Sequence, residues 1–191
     1  EFFTADGVML ADGLQELSES WQAMIPRTGG GWLALGPSRE EVLEVSPDFE
    51  PTLLAEINQR LVSDPERSLV AWVAPGQSGQ TLTTYSTADS TLTHTWDLPA
   101  TPSVEPVDCA GADSVVFQTV GRSGGTQSIS LAHPDGTTRL LSREWVKAIS
   151  ANPRTGLIAV QTTAKPDASG CFGVVDPAAE IEQLERLAAW R

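Results

Sequence analysis

An internal repeat of about forty residues constrains the fold of this 191-residue chain more than any other feature. The segment "DGLQELSESWQAMIPRTGG" (12–30) returns as "DGTTRLLSREWVKAISANPRTG" (135–156). Turn-forming aspartates between strand-like runs recur at spacings of 36, 41, 46 and 41 residues, at Asp12, Asp48, Asp89, Asp135 and Asp176. A unit this short cannot bury both of its apolar faces alone. The repeat therefore predicts units that stack against one another.

Short apolar runs recur at a similar distance after the first four of these turns. "WLAL", "LVAW", "VVF" and "LIAV" begin 20, 21, 26 and 22 residues after the preceding aspartate. Around the last of them, "VKAIS", "LIAVQTT" and "CFGVVD" read as strands, while "SISLA" and "TTRLLS" flank the turn "HPDG". Because β-branched residues fill the runs and Gly, Pro, Asn and Asp lie between them, the pattern predicts an all-β chain of four short antiparallel strands per unit.

The last repeat, "ISANPRTGLIAVQTT…CFGVVDPAAE", resembles the repeats of YVTN-type β-propellers, within the wider superfamily that includes WD40 and bacterial TolB-like propellers. The Trp-Asp signature of WD40 blades is represented only by a solitary "TWD" at 95–97. The resemblance implies four to five blades in an incomplete ring, forming one domain or a portion of one over 1–191. The repeats fall near 1–20 (partial), 21–58, 59–103, 104–144 and 145–191.

Two segments also suit a helix. Residues 50–62 place four apolar side chains on one helical face, but the repeat register favours a strand there. Residues 176–190 begin with Asp176 and Pro177 followed by an acidic turn, which predicts a short C-terminal helix. The chain starts at Glu1 without a methionine. We therefore expect a mature or excised piece of a larger propeller.

The composition narrows the partners and the compartment. A formal net charge of -13 disfavours nucleic acid and anionic membrane surfaces, and no run approaches the roughly 20 apolar residues of a membrane-spanning helix. Lysine occurs only at Lys147 and Lys165, and Ser, Thr, Gly and Pro are abundant, which favours an extracytoplasmic protein of a GC-rich bacterium. Cys109 and Cys171 leave two readings open: one disulfide, or two buried thiols.

Candidate catalytic groups are few. His94 and His133 show no metal-ligand spacing, and "GRSGG" around Ser123 lies between two strand-like runs, which predicts a hairpin loop instead of a nucleophile elbow. "TGGGW" (28–32) lacks the lysine of a phosphate loop and predicts a wide turn. The carboxylates Glu40, Glu41 and Glu44 are interpreted as a solvated face. The sequence predicts no catalytic residue, no metal and no cofactor.

The propeller resemblance implies a binding surface instead. In propellers, inner strands and the loops that lead into them line one mouth of the channel. The residues at those positions are Ser20, Trp21, Asn58, Arg60, Arg143, Glu144, Trp145 and Lys147. Of these, Trp21, Arg60, Arg143, Trp145 and Lys147 are the predicted binding residues because Trp and Arg are frequent anchors at interfaces. The alternative for Trp21 and Trp145 is packing between blades.

The resulting functional hypothesis is a non-catalytic cell-envelope propeller, either secreted or lipoprotein-anchored, that binds protein. Its partner would be a subunit of a membrane complex or the remainder of the propeller, with no direct membrane insertion by this segment. A propeller enzyme of lactonase or lyase type is one alternative. A carbohydrate-binding module that uses Trp21 and Trp145 is the other.

Overall fold

The computed structural model describes fifteen strands and no helix within residues 21, 23–57, 60–64, 68–110, 114–121, 126–142, 145–152, 157–163 and 171–175. The strands are β1 (Ala23–Pro26), β2 (Trp32–Leu35), β3 (Glu41–Val45), β4 (Pro51–Glu56), β5 (Leu61–Ser63), β6 (Leu69–Pro75), β7 (Gly79–Ser86), β8 (Thr91–Pro99), β9 (Ser103–Cys109), β10 (Val115–Val120), β11 (Thr126–Ala132), β12 (Thr138–Ser142), β13 (Trp145–Ala151), β14 (Ile158–Thr163) and β15 (Cys171–Val175).

The strands form four successive sheets, and within each sheet consecutive strands pair antiparallel. Sheet 1 contains β1–β4, sheet 2 contains β5–β8, sheet 3 contains β9–β12 and sheet 4 contains β13–β15. The prediction of an all-β chain built from four-stranded antiparallel units is confirmed. The choice of a strand over a helix for 50–62 is confirmed as well, since β4 and β5 lie there. The helix predicted for 176–190 lies outside the described residues.

The repeated aspartates mark one equivalent turn. Asp48, Asp89 and Asp135 lie between the third and fourth strands of sheets 1, 2 and 3. The next residue in each turn has a left-handed backbone: φ is 65° at Phe49, 55° at Ser90 and 87° at Gly136. Such a φ is unfavourable for a side chain as large as that of Phe49. The Phe49 ring stacks on Trp32 with centroids 4.9 Å apart, which offsets that cost.

The glycine-rich turn of sheet 1 also behaves as its sequence predicts. "TGGGW" joins β1 to β2, with φ at 92° for Gly30 and 74° for Gly31. A Cβ at Gly31 would overlap the carbonyl oxygen of Val45 on β3, so only glycine allows this approach. "GRSGG" likewise separates two antiparallel strands, β10 and β11, although 122–125 lie outside the described residues.

The apolar runs picked out from the repeat are second strands, and in sheets 1 and 2 they are the most buried strands. Leu69, Val70, Ala71, Trp72 and Val73 of β6 are all buried. A strand with both faces covered shows a continuous apolar run instead of alternation. The sheets must therefore be packed face to face.

Three apolar clusters lie between consecutive sheets. Sheets 1 and 2 meet through Leu33, Val42, Ile57, Val70, Trp72 and Tyr85. Sheets 2 and 3 meet through Leu69, Val73, Leu82, Trp96, Val104, Val115 and Phe117. Sheets 3 and 4 meet through Val116, Ile129, Leu131, Leu141 and Ile158. This stacking is how short sheets with two apolar faces remove both faces from water.

The outer, fourth strand of sheets 1, 2 and 3 carries a one-residue bulge, at Leu54, Thr93 and Leu141. The extra residue turns an outer-strand side chain inward, because Leu141 is buried in the cluster between sheets 3 and 4 and Leu54 packs on that between sheets 1 and 2. In sheet 2, the Thr84 hydroxyl lies 2.7 Å from the Thr93 hydroxyl and accepts the His94 N–H at 3.2 Å. The bulges interrupt the regular outer strand of sheets 1, 2 and 3.

Candidate binding surface on the first strands

The first strands of three consecutive sheets lie side by side, with β9 in contact with β5 and with β13. In a stack of twisted sheets around an axis, the first strands line the inside. The surface formed by these strands, here called the first-strand surface, is where the sequence predicted binding residues.

One predicted residue forms the clearest contact of this surface. Arg60, immediately before β5, places Nη1 3.8 Å from Oε2 of Glu105 on β9. The same carboxylate oxygen accepts a bond of 3.0 Å from Nε2 of Gln118, its cross-strand neighbour on β10. The Arg60 and Glu105 side chains keep 46% and 35% of their surface exposed. A cation and an anion from adjacent sheets therefore remain open to solvent.

The two repeated tryptophans lie at or just before the start of first strands. Trp145 is the first residue of β13, and Trp21 lies two residues before Ala23, where β1 begins. Trp145 precedes Ala148 by three residues, but Lys147 is the extra residue of a bulge between Val146 and Ala148. Trp145 pairs with Thr163 on β14. Trp21 is half-buried.

The remaining predicted residues are only partly described. Lys147 has a described backbone on β13, but its side chain and that of Trp145 lie outside the description, as do Ser20, Asn58, Arg143 and Glu144. The structure brings β5, β9 and β13 together, and it places Arg60 beside Glu105. The role of Trp21, Arg60, Arg143, Trp145 and Lys147 in binding stays a prediction.

A second polar group, which the sequence did not reveal, joins sheets 1 and 2. Oε1 of Glu44 on β3 accepts the Tyr85 hydroxyl at 2.5 Å and lies 3.2 Å from Nη2 of Arg27. Nε of Arg27 donates to the Ser90 hydroxyl at 3.1 Å. The Arg27, Glu44, Tyr85 and Ser90 side chains form a cross-sheet network. The interpretation of Glu44 as part of a solvated face is wrong, because sheet 2 covers the side of β3 that carries it.

Burial sets the ionisation of the tyrosine in this network. Tyr85 is 1% exposed, and desolvation together with its bond to Glu44 raises the pKa of the phenol to about 12. A phenolate here would face the Glu44 carboxylate at hydrogen-bond distance. Tyr85 therefore acts as a hydrogen-bond donor across the interface at neutral pH.

Gln80 at the start of β7 ties the outer strand of sheet 2 to the first strand of sheet 3. Its Nε2 donates to the carbonyls of Pro99 and Pro102 at 2.8 and 3.1 Å, and its Oε1 accepts the Val104 N–H at 2.9 Å. Gln80 is 7% exposed. The bonds hold the chain where it passes from β8 to β9, which positions the first-strand residue Glu105.

The histidines sit at the outer side of the interface between sheets 2 and 3. The His94 ring lies 5.8 Å from the Trp96 ring, and Trp96 donates its indole N–H to the His133 carbonyl at 2.9 Å. The solitary "TWD" tryptophan is thus a buried tie between sheets. Among the residues the structure describes, no three His, Cys, Asp or Glu side chains are grouped to hold a metal, and no helix is long and apolar enough to cross a membrane.

Cys109 ends β9 as a free, fully buried thiol whose Sγ lies 3.8 Å from the Leu69 carbonyl. Burial, with the nearby Asp64 carboxylate, raises the pKa of this thiol to about 12. Cys171 begins β15, and its side chain lies outside the described residues. A disulfide between the two stays a prediction.

The chain is similar to solved β-propellers. A TolB-like protein from Agrobacterium tumefaciens superposes with a TM-score of 0.51 at 13% identity, over 82% of this chain and 58% of its own. An uncharacterized protein from Listeria monocytogenes EGD-e gives 0.54 at 10%, over 83% and 51%. The β-propeller domain of the Trilobed protease from Pyrococcus furiosus, which has an open velcro topology, gives 0.52 at 10%, over 83% and 55%.

These likenesses establish the β-propeller fold. The chain spans about half the length of the structures it matches. No protein-family model and no curated protein sequence matches it.

Proposed function

We propose that this propeller binds protein as an accessory or scaffold subunit of a bacterial cell-envelope complex, through the first-strand surface around Arg60 and Glu105. The observation that carries the proposal is the pair itself. Arg60, just before β5, and Glu105 on β9 lie 3.8 Å apart while their side chains keep 46% and 35% of their surface exposed. Arginine is among the residues that most often dominate binding energy at interfaces.

The Arg60–Glu105 ion pair can be separated at a small cost in free energy. An exposed ion pair of this length contributes about 0–1 kcal/mol to stability, so a partner can engage Arg60 or Glu105 at little cost to the fold. Gln118 keeps its bond to Glu105, which holds the carboxylate in place for a partner's cation. The side chains are thus positioned but not consumed by internal contacts.

The charge of the chain favours a cationic partner surface. A net charge of -13 attracts positive surfaces at long range and speeds their association, an effect that salt weakens. The scarcity of lysine and the fold shared with a TolB-like protein support an extracytoplasmic setting. The lactonase or lyase alternative has no specific observation in its favour among the described residues.

The test is capture from separate envelope and cytosolic extracts of an actinobacterium, with the immobilised chain as bait. We expect a defined partner from the envelope extract, with recovery lowered at least tenfold by Arg60→Glu and partly restored in the double variant Arg60→Glu/Glu105→Arg. Arg139→Glu makes the same charge change on the outer strand β12 and serves as the matched control.

Equal recovery by Arg60→Glu and Arg139→Glu would contradict the proposed surface, because binding would then depend on net charge alone. A partner found only in the cytosolic extract would contradict the envelope role. Raised salt should lower recovery of the authentic partner, as expected for association steered by charge.

A further inference from the structure

The turn between β11 and β12 contains an Asp–Gly dipeptide, Asp135–Gly136, and both residues are exposed to solvent. An aspartate followed by glycine can rearrange its own backbone. The glycine nitrogen attacks the side-chain carboxyl carbon of the aspartate, an N–C bond forms, a C–O bond breaks and water leaves. Water then opens the resulting succinimide at either carbonyl, which restores aspartate or gives isoaspartate, in which the main chain runs through the former side chain.

The repeated turn explains why a glycine follows the aspartate here. The residue after the turn aspartate has a left-handed backbone in sheets 1, 2 and 3, where it is Phe49, Ser90 and Gly136 respectively. Glycine adopts this backbone without a steric cost. A side chain on that residue hinders attack by its nitrogen. Of these three turns, the one in sheet 3 therefore combines an aspartate with the least hindered nitrogen.

Hydrogen bonds hold both reacting groups in this turn. The Gly136 N–H donates to the His133 carbonyl at 3.0 Å, and the His133 N–H donates to the Thr137 carbonyl at 2.9 Å. Oδ1 of Asp135 accepts the Thr137 N–H at 2.9 Å and the Thr137 hydroxyl at 2.6 Å. The nitrogen is bonded to the residue at the start of the turn and the carboxylate to the residue at its end. Closure of the succinimide requires both groups to be released.

Ionisation of the carboxyl group acts in the same direction. The hydrogen bonds from the Thr137 hydroxyl and N–H lower the pKa of Asp135 below its ordinary value. The succinimide closes from the protonated acid, because the departing oxygen leaves as water. Thr137 therefore reduces the amount of the reactive form and also restricts its position.

We propose that Asp135 is a latent site of isomerisation, kept unreacted in the folded chain by Thr137 and by the turn bonds of His133. The site reacts when the turn opens locally, which costs less free energy than unfolding the whole chain. Isoaspartate lengthens the main chain of the turn, so the pairing of Thr138 with Ala132 cannot be closed by the same bonds. The isomerised protein is therefore expected to unfold at a lower urea concentration. The site shares no residue with the first-strand surface, so the two proposals can fail separately.

The experiment incubates the full chain at neutral pH, with and without urea, and measures isoaspartate at residue 135 by peptide mass spectrometry. We expect formation in the folded protein to be at least tenfold slower than in urea. The chain carries two further Asp–Gly dipeptides, Asp6–Gly7 and Asp12–Gly13, in separate peptides. In urea all three dipeptides are expected to react at similar rates, which provides an internal reference.

Substitutions at Thr137 test its hydroxyl directly. Thr137→Val keeps the branched shape and the backbone N–H, and is expected to react about fivefold faster than the wild type when folded, the effect of losing one hydrogen bond of ordinary strength. The same variant should match the wild type in urea. Thr137→Ser retains the hydroxyl and should retain the protection. Thr138→Val makes the same change at the next residue, which is exposed, and should leave the rate unchanged.

A substitution at Gly136 tests the chemistry of the dipeptide. Gly136→Ser places at this turn the residue that Ser90 provides in sheet 2, and no atom lies within 4 Å of the added Cβ. We expect it to slow isomerisation both in the folded protein and in urea. Circular dichroism and urea unfolding of every variant show whether a change in rate accompanies a change in the fold.

Three results would overturn the proposal. Equal rates at Asp135 with and without urea would show that the folded turn gives no protection. A folded Thr137→Val protein that reacts at the wild-type rate would show that the hydroxyl does not restrain the carboxylate. A reaction at Asp135 that is slower in urea than those at Asp6 and Asp12 would assign the protection to local sequence instead of the fold.

Discussion

The Tyr85 hydroxyl donates to the Glu44 carboxylate across the interface between sheets 1 and 2, at 2.5 Å. Nη2 of Arg27 lies 3.2 Å from the same oxygen, so the carboxylate contacts one donor from each of the two sheets. This arrangement turns an apolar interface into one with a fixed lateral register, because the bonds form at only one position of the two sheets.

Tyr85→Phe removes the donor and leaves the ring in place. We expect the free energy of unfolding to fall by about 1.5–3 kcal/mol, the usual size for a hydrogen bond to a charged group. Urea unfolding measures the change, and a double-mutant cycle with Glu44→Gln should give a coupling above ~0.5 kcal/mol. Thr95→Val, which removes an exposed hydroxyl from β8, should stay within ~0.5 kcal/mol of the wild type.

Tyr85 is the only tyrosine of the chain, so ultraviolet absorbance of the phenolate reports on it alone. In the folded protein we expect ionisation near the raised pKa of about 12, and near 10 after unfolding in urea. Since the fold favours the protonated phenol, this contribution to stability is complete below pH 10 and is lost as the pH rises through 12. A native titration at 10 would contradict the buried network.

Gln80→Leu should lower the free energy of unfolding, because it removes the hydrogen bonds that hold the segment between β8 and β9. The Val104 N–H is buried and loses its acceptor, which costs about 1–3 kcal/mol. The freed carbonyls of Pro99 and Pro102 lie in exposed residues, where water replaces Gln80. Chemical denaturation of Gln80→Leu beside Gln77→Leu, an exposed position in the preceding turn, separates this effect from a general loss of a glutamine.

Cys109 should resist thiol reagents while the protein is folded. Its thiol is fully buried and its pKa is raised to about 12, so the reactive thiolate is scarce at neutral pH. In a Cys171→Ser background, modification is expected to proceed at the rate of opening and to accelerate sharply in urea. Rapid labelling of the native protein would show that β9 is accessible at its end.

The sequence predicted the features that repeat along the chain. In sheets 1, 2 and 3 the turn at Asp48, Asp89 and Asp135 places the next residue in the left-handed region, and this local requirement is visible in the sequence as a repeated aspartate. The choice of a strand for 50–62 also followed from repeat register, against a helical spacing of leucines that the bulge at Leu54 helps to explain. The bulge places Leu54 and Ala55 on the same side of the sheet, which imitates part of a helical pattern.

The contacts between sheets were not predictable in the same way. Glu44 meets Tyr85, and Arg60 meets Glu105, over separations of about forty residues that differ in chemistry from one interface to the next. A polar pair of this kind depends on how two sheets are stacked, and the chain carries no local pattern for it. Gln80 shows the same limit, because its partners lie around the passage into sheet 3.

The bulges at Leu54, Thr93 and Leu141 affect how readily the outer strands can pair with another polypeptide. A regular outer strand offers a row of backbone donors and acceptors that any extended peptide can join. In sheets 1, 2 and 3 of the described chain the row is interrupted once by a bulge, and Leu54 and Leu141 turn toward the core. The outer edges of these three sheets are therefore poor templates for strand addition by another polypeptide.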